Sequence, residues 1–125
     1  MKTDKNTTLQ ELRDYMAAYH HARGWDECHT AKNLAVSVAI EAAELMEHFQ
    51  WEDDVRDKEE VADEFADILS YMLTLAEVLD IDIATAFRNK MAKCEKKYPV
   101  ELFNPETKNL DAYHAIKKSY RSAKK

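Results

Sequence analysis

Apolar residues recur every three or four positions along most of this chain, which is the spacing of one face of an α-helix. In the first such stretch the apolar stripe consists of Leu9, Leu12, Met16 and Tyr19. The pattern predicts helices over residues 8–23, 31–50, 57–79 and 83–97, and a shorter helix over 110–120. Because the first four are joined by short connections, we expect an all-α fold: a four-helix bundle-like protomer plus a short C-terminal helix or tail.

Helix-boundary signals agree with this division. Thr8 followed by Glu11 is a capping-box pattern at the start of the first helix. Gly24 is the only glycine, and it lies where a helix commonly ends in a left-handed residue. Asp82 is a candidate N-cap for the fourth helix, and Pro99 stops that helix.

The composition narrows the class of protein further. One glycine and two prolines in 125 residues argue against a sheet-rich fold with many tight turns. Cys28 and Cys94 form no CxxC pair and no disulfide framework, which is typical of a reducing compartment. The polar N-terminus has no apolar signal region, and no run approaches the ~18 apolar residues of a membrane span. We therefore expect a cytoplasmic protein without a membrane partner.

Charge is unevenly distributed along the chain. Residues 41–67 contain twelve acids and two bases, whereas residues 88–125 contain eleven bases and four acids. The acidic block argues against nucleic acid as the partner, since its phosphates would be repelled. The basic part either contacts phosphates or is a solvated tail. We expect a domain over residues 1–103 and a basic C-terminal extension over 104–125.

Four acids carry the candidate chemistry: Glu41 with Glu44, and Glu64 with Asp67. Each pair has i, i+3 spacing, so its members share one helix face. Two interpretations are open: solvated acidic faces, or two helices that present their acids to one divalent cation. Few bases lie nearby, and an all-oxygen cluster suits Mg²⁺, with Mn²⁺ as the second choice. Glu60 shares the face of Glu64 and is a candidate further ligand or general base.

His48 is the one histidine near these acids in sequence. It follows Glu44 by four residues, whereas di-iron bundles use a Glu-x-x-His spacing. The sequence therefore disfavours an oxygen-activating metal centre.

Several sequence elements resemble the MazG-like all-α nucleotide pyrophosphohydrolases, and most of all their small single-domain branch with the dCTP pyrophosphatases. The resemblance spans about residues 9–100. The elements that carry it are Arg23-Gly24-Trp25, His29 to Leu34, Glu41-Ala42-Ala43-Glu44-Leu45, Phe49-Gln50-Trp51, Glu60 to Tyr71, Lys90-Met91 and Lys97-Tyr98-Pro99.

The resemblance implies hydrolysis of a nucleoside triphosphate to a monophosphate and pyrophosphate with Mg²⁺. It implies that Glu41, Glu44, Glu64 and Asp67 are the metal ligands. It also implies a role in dNTP pool house-cleaning and a homodimer or homotetramer.

Three aromatic residues are candidates for a base pocket: Trp25, Trp51 and Tyr71. They either pack in the core or stack on a nucleobase, which any aromatic ring can do without strong discrimination. The resemblance favours the pocket for Trp25 and Trp51. The dCTP-selective members carry a histidine in the first helix where this chain has Met16, with His20 one turn away. Cytosine preference is therefore not implied.

Polar residues at the start of the second helix are candidate substrate contacts. His29, Lys32 and Asn33 either cap the helix and solvate its surface or contact phosphate or sugar, since a helix N-terminus favours anions. Lys90 and Tyr98 resemble family positions that contact phosphates.

Two other functions stay open at this point: a regulatory protein that binds nucleotide without turnover, and a related pyrophosphohydrolase acting on phosphoribosyl-ATP.

Overall fold

The computed structural model describes residues 1–124, and over that range it consists of helices and connecting loops without a strand. The all-α prediction is therefore confirmed. The five α-helices are α1 (Leu9–His21), α2 (Ala31–Glu47), α3 (Lys58–Val78), α4 (Ile83–Lys97) and α5 (Leu110–Ala123). The connection between α1 and α2 contains a 3₁₀ turn, Asp26–Cys28. Among the described residues, no helix is both long enough and apolar enough to span a membrane.

Both ends of α1 have the predicted caps. The Thr8 hydroxyl accepts a hydrogen bond from the Glu11 amide at 3.1 Å, and the Glu11 carboxylate accepts one from the Thr8 amide at 2.8 Å. After the helix, Trp25 N–H donates to the His20 carbonyl and Gly24 N–H to the His21 carbonyl, each at 3.1 Å. These bonds form a Schellman motif, and Gly24 takes its left-handed position with φ +64°.

The end of α2 differs from the prediction. The helix ends at Glu47, three residues before the expected boundary at 50. Phe49 N–H donates to the Met46 carbonyl at 3.0 Å and Gln50 N–H to the Glu47 carbonyl at 3.3 Å. These i to i−3 bonds tighten the last turn, so the chain leaves the α-helical path although no glycine or proline marks the place.

The chain divides into two compact units, Met1–Asp82 and a second that begins at Ile83. In the first unit α3 packs against α1 and α2. The buried apolar side chains there are Leu34, Val61, Leu73 and Ala76. Asp57 caps α3 by accepting hydrogen bonds from the amides of Glu59 and Glu60. The cap fixes the start of α3 at Lys58, and with it the position of the acidic residues along the helix.

In the second unit α4 and α5 are joined by a structured turn. The Asn104 side-chain oxygen accepts hydrogen bonds from the amides of Glu106 and Thr107, each at 3.1 Å. Tyr98 packs against Phe103 and Tyr113, with ring centroids 5.4 and 5.3 Å apart. Residues after the Asn104 turn thus form an ordered helix, α5, three residues longer than predicted.

Candidate active site

Three of the predicted acids meet between two helices. Glu41 on α2 and Glu64 and Asp67 on α3 each offer one carboxylate oxygen, and these three oxygens lie within 4.8 Å of one another. The meeting follows from the packing of α2 on α3 and from the i, i+3 spacing that puts Glu64 and Asp67 on one face. Three carboxylates at this separation form a site of concentrated negative charge.

Glu64 has a hydrogen-bonding capacity that the protein leaves unused. Its Oε1 lies 3.5 Å from Nε2 of His48, whereas its Oε2 is buried and has no hydrogen-bond partner. A buried oxygen without a partner costs on the order of 1–3 kcal/mol, more for a charged group. A divalent cation bound among the three carboxylates would satisfy it, and all-oxygen donor sets are the ones that Mg²⁺ prefers. The residues present therefore fit a hard divalent cation.

The electrostatics of Glu41 agree with that interpretation. Burial raises the pKa of Glu41 above its ordinary value of 4.5, and the carboxylates of Glu44, Asp67 and Glu64 raise it further. Glu44 is thus close enough to act on Glu41, although its oxygens are outside the group of three. A proton or a cation at the cluster relieves the repulsion among these acids.

An aromatic cavity of about 380 Å³ adjoins the cluster through Asp67. Its lining includes three of the predicted substrate-binding residues, Trp25, His29 and Tyr71. The other lining residues are Tyr15, Met16, Tyr19, His20, Ala66 and Ser70. Flat rings beside a carboxylate cluster are an arrangement that suits a nucleobase next to cation-bound phosphates.

A stacked histidine pair forms part of that cavity. His20 is buried, with 7% of its surface exposed, and its ring lies 4.1 Å from the ring of His29, nearly parallel to it. Nδ1 of His29 lies 2.7 Å from the Trp25 carbonyl oxygen, which fixes that ring. Burial lowers the pKa of His20; the neighbouring His29 and Arg23 lower it too, and Asp26 opposes them. The His20 ring is therefore favoured in its neutral form.

Glu60 and Trp51 lie on a different cavity, of about 300 Å³. His48 also lines it, so the contact between His48 and Glu64 joins this cavity to the acid cluster. Trp51 is 86% exposed, and it does not share a cavity with Trp25. The two tryptophans thus lie on separate surfaces of the first unit.

The remaining predicted residues lie elsewhere. Lys32 and Asn33 occupy the first turn of α2 and line neither cavity; the Asn33 side chain donates to the Cys28 carbonyl at 3.2 Å. Lys90 and Tyr98 belong to the second unit, where Lys90 lines a basic groove and Tyr98 packs in the aromatic cluster already described.

Sequence reasoning missed three residues that contribute to these surfaces. His48 contacts Glu64 across two helices, and spacing along one helix carries no sign of such a contact. Tyr15 and Tyr19 line the aromatic cavity, although the helical spacing places Tyr19 in the apolar stripe of the first helix. The aromatic content of that stripe was the available signal.

The fold and this site agree with a match to a known family. The profile of the MazG-like family matches residues 36–119, well over half of the chain. The chain therefore belongs to the MazG-like family.

The relatives found by comparison carry related names. The chain is 30% identical over 104 residues to dCTP pyrophosphatase 1 of Rattus norvegicus, which covers 76% of this chain and 61% of that protein. It is 32% identical to the Bos taurus protein of the same name, covering 76% of this chain and 62% of that one. It thus spans about three fifths of the length of these mammalian relatives. A crystal structure of a pyrophosphatase from Archaeoglobus fulgidus is similar with a TM-score of 0.70 and 41% identity, covering 79% of this chain and 99% of that one.

Proposed function

We propose that this protein is a Mg²⁺-dependent nucleoside triphosphate pyrophosphohydrolase that cleaves between the α- and β-phosphates. The observation that carries the proposal is the cluster of Glu41, Glu64 and Asp67, with its unpartnered Glu64 oxygen, beside an aromatic cavity. The names of the relatives, dCTP pyrophosphatase and pyrophosphatase, support the reaction class.

The acids would hold the cation, with Mn²⁺ as an alternative to Mg²⁺. Glu41, Glu64 and Asp67 would supply one oxygen each. We propose Glu44, whose charge acts on Glu41 from the same helix, as the fourth ligand. When bound, Mg²⁺ would neutralise the phosphates, polarise phosphorus and activate a water. The protein's own part is to position the acids, with His48 holding one oxygen of Glu64. Glu60, which lines the cavity with His48, is the acid we propose as further ligand or general base.

The aromatic cavity would hold the base. Trp25 and Tyr71 offer rings for stacking, and Asp67 belongs to both the cavity and the cluster. A base placed there would have its phosphates directed to the cation. His29 lines the same cavity and is the polar group best placed to contact the nucleoside.

The other substrate contacts rest on the resemblance alone. We propose that Trp51 bounds the site on the side of Glu60, and that Lys90 and Tyr98 contact phosphate. We also propose that Lys32 and Asn33, near the start of α2, contact phosphate or sugar. Hydrolysis of (d)NTPs would serve to clean the nucleotide pool.

We also propose that the protein acts as a homodimer or homotetramer. Large apolar side chains on α2 and α3 remain exposed: Val36 50%, Ile40 51%, Phe65 60%, Leu69 40% and Met72 41%. On α3 these residues recur at i, i+4 and i+7, which is one helix face. An apolar face of this kind on a monomer marks an interaction surface. Light scattering should give twice or four times 14.5 kDa; a single 14.5 kDa species would contradict self-association.

Product analysis tests the reaction. The purified protein is incubated with each dNTP and NTP, with Mg²⁺ or with EDTA, and the products are separated. We expect monophosphate and pyrophosphate, lost in EDTA. Diphosphate with orthophosphate would place the cleavage elsewhere.

Two further outcomes would select the other candidate functions. Binding of a triphosphate without any product would favour a regulatory nucleotide-binding protein. Turnover of phosphoribosyl-ATP in preference to every dNTP and NTP would favour the related pyrophosphohydrolase.

A further inference from the structure

The second unit contains a groove whose charge is opposite to that of the acid cluster. A cavity of about 670 Å³ lies between α4 and α5. Seven of its nine lining residues are basic: Lys90, Lys93, Lys96, Lys97, Lys117, Arg121 and Lys124. The other two are Cys94 and Tyr120, so no acidic side chain lines it. We call this cavity the basic groove.

The basic residues come from two helix faces. On α4, Lys90, Lys93 and Lys97 are spaced at i, i+3 and i+7. On α5, Lys117 and Arg121 are followed by the C-cap residue Lys124, at i, i+4 and i+7. Such spacing puts each set on one side of its helix. Two basic helix faces therefore line the same cavity, where like charges oppose each other across the groove and along each helix.

None of these seven side chains forms an ion pair within residues 1–124. The two half-buried members, Lys97 and Lys117, contact aromatic residues instead. The Lys97 ammonium lies 3.9 Å from the centre of the Tyr120 ring, and the Lys117 ammonium lies 3.3 Å from the Tyr113 hydroxyl. The positive charge of the groove is thus left uncompensated by the protein itself.

We propose that the basic groove binds an anion with two or more linked phosphates through its own side chains, without a metal ion. Lysine and arginine are the residues that bind phosphate oxygens, and several of them converging on one cavity suit a multiply charged group. The volume is within the range of small-molecule sites. Tyr120, 52% exposed at the groove, offers a ring for a base. Pyrophosphate and nucleoside polyphosphates share this chemistry.

Binding in the groove requires no metal and no turnover, so it is distinct from the proposed reaction. A triphosphate and the carboxylate cluster repel each other unless a cation lies between them. In EDTA the cluster therefore repels the probe, whereas the basic groove attracts it. Measurements in EDTA consequently test the groove alone, and the activity assay with Mg²⁺ tests the reaction alone.

Cys94 is a local reporter of occupancy, since it is half-buried and lines the groove. The exposed Cys28 is first replaced by Ser, so that Cys94 is the single thiol in the full-length chain. The rate at which Cys94 reacts with a neutral disulfide reagent is then measured in EDTA at low ionic strength. The two probes are pyrophosphate and a triphosphate with a nonhydrolysable α–β bridge, added separately.

A matched pair of variants separates the groove from general charge. Lys117→Gln with Arg121→Gln removes two charges that line the groove, and Arg88→Gln with Lys108→Gln removes two charges from the same unit outside it. Both pairs replace one lysine and one arginine, so the net charge is equal. Lys90 is left intact because it is also a predicted substrate contact.

We expect either probe to slow modification of Cys94 at least threefold at saturation. The groove pair should raise the probe concentration needed by about tenfold or more, and the control pair should leave it within about twofold. Protection by both probes identifies the phosphates as the recognised group, and protection by the nucleotide alone assigns the base to Tyr120. Absence of protection would overturn the proposal, as would an equal effect of the two pairs. A change of assembly state in the groove pair without protection would instead identify the groove as a contact with an acidic surface of a second copy.

Discussion

His48 at the end of α2 contacts Glu64 on α3, with 3.5 Å between Nε2 and Oε1, and the other oxygen of Glu64 is buried without a partner. The histidine therefore occupies one oxygen of the carboxylate and leaves the other free for a cation. Residues that hydrogen-bond to a metal ligand have this role. They fix the orientation of the ligand, and their replacement typically lowers metal affinity or activity by about 10–100-fold.

Replacing His48 tests that role. His48→Ala should lower Mg²⁺ affinity and turnover by about 10–100-fold, because Glu64 loses the group that orients it. Excess Mg²⁺ should restore most of the activity, since Glu64 itself is still present. Calorimetric titration with Mg²⁺ and initial rates measured over a range of Mg²⁺ concentrations give both quantities. His21→Ala, at an exposed position, is the matched control, and equal effects of the two would contradict the assignment.

Glu41→Gln should stabilise the protein without metal and remove its response to Mg²⁺. The raised pKa of Glu41 means that folding favours its protonated form. Stability from this group is present below its usual pKa of 4.5 and is lost as pH rises through the raised value. At neutral pH the variant should therefore melt higher than the wild type in EDTA.

Mg²⁺ should reverse this order. Mg²⁺ at a hundred times its dissociation constant stabilises a protein that binds it by about 2.7 kcal/mol. The variant, which binds no Mg²⁺, lacks this stabilisation. Thermal melts at fixed protein concentration, in EDTA and in Mg²⁺, measure both effects. A variant that melts lower than the wild type in EDTA would show that the ionised Glu41 carboxylate does not destabilise the folded protein.

His20 should make the stability of the protein depend on pH below its ordinary pKa of 6.5. Its lowered pKa means that the folded state favours the neutral ring, so stability is fully present above 6.5 and is lost as pH falls through the lowered value. The groups that act on it are His29, Arg23 and Asp26. His20→Gln cannot titrate, so its melting temperature should fall less between pH 7.5 and pH 5 than that of the wild type. His21→Gln is the neighbouring control, and an identical slope in both variants would contradict the assignment.

The turn after α3 offers a stability test independent of the active site. Ile81 N–H donates to the Ala76 carbonyl at 2.8 Å and Asp80 N–H to the Glu77 carbonyl at 3.1 Å, so Asp80 holds the left-handed position of a Schellman motif with φ +51°. Asp80→Gly should raise stability by about 0.5–1 kcal/mol, because a side chain is disfavoured there.

Gly24→Ala is the reciprocal test at the end of α1. A Cβ at Gly24 meets no atom within 4 Å, so the cost is that of the backbone at φ +64°, about 1 kcal/mol. Thermal melts should thus shift in opposite directions for the two variants, by about 2–6 °C each. Shifts of the same sign would contradict this explanation of the two turns.

The sequence was sufficient to predict the helices and the acid cluster for a physical reason. Capping residues such as Thr8 and the left-handed Gly24 act locally, so their effects can be inferred from a few neighbouring positions. Glu64 and Asp67 lie on one face by helix periodicity alone, and only their approach to Glu41 depends on tertiary packing. The all-α fold was predictable for the same reason. The family, in contrast, was inferred from a resemblance of sequence elements.

Contacts across elements were not predictable. His48 reaches Glu64 because α2 packs on α3, and spacing along one helix does not reveal such a contact. The stacking of His20 on His29 joins α1 to the segment before α2, and the separation of Trp51 from Trp25 likewise follows from packing. Whether Lys90 and Tyr98 contact phosphate stays a prediction.

The most direct test of the central claim compares Glu64→Gln with Glu59→Gln, two substitutions that remove one acid each from α3. Glu64 belongs to the cluster, and Glu59 is exposed in the first turn. Mg²⁺ affinity by calorimetry and pyrophosphate release from each dNTP are measured on both variants and the wild type. We expect Glu64→Gln to lose measurable Mg²⁺ binding and at least a hundredfold in turnover, with Glu59→Gln unchanged. Intact Mg²⁺ affinity and turnover in Glu64→Gln would contradict the metal assignment and, with it, the proposed function.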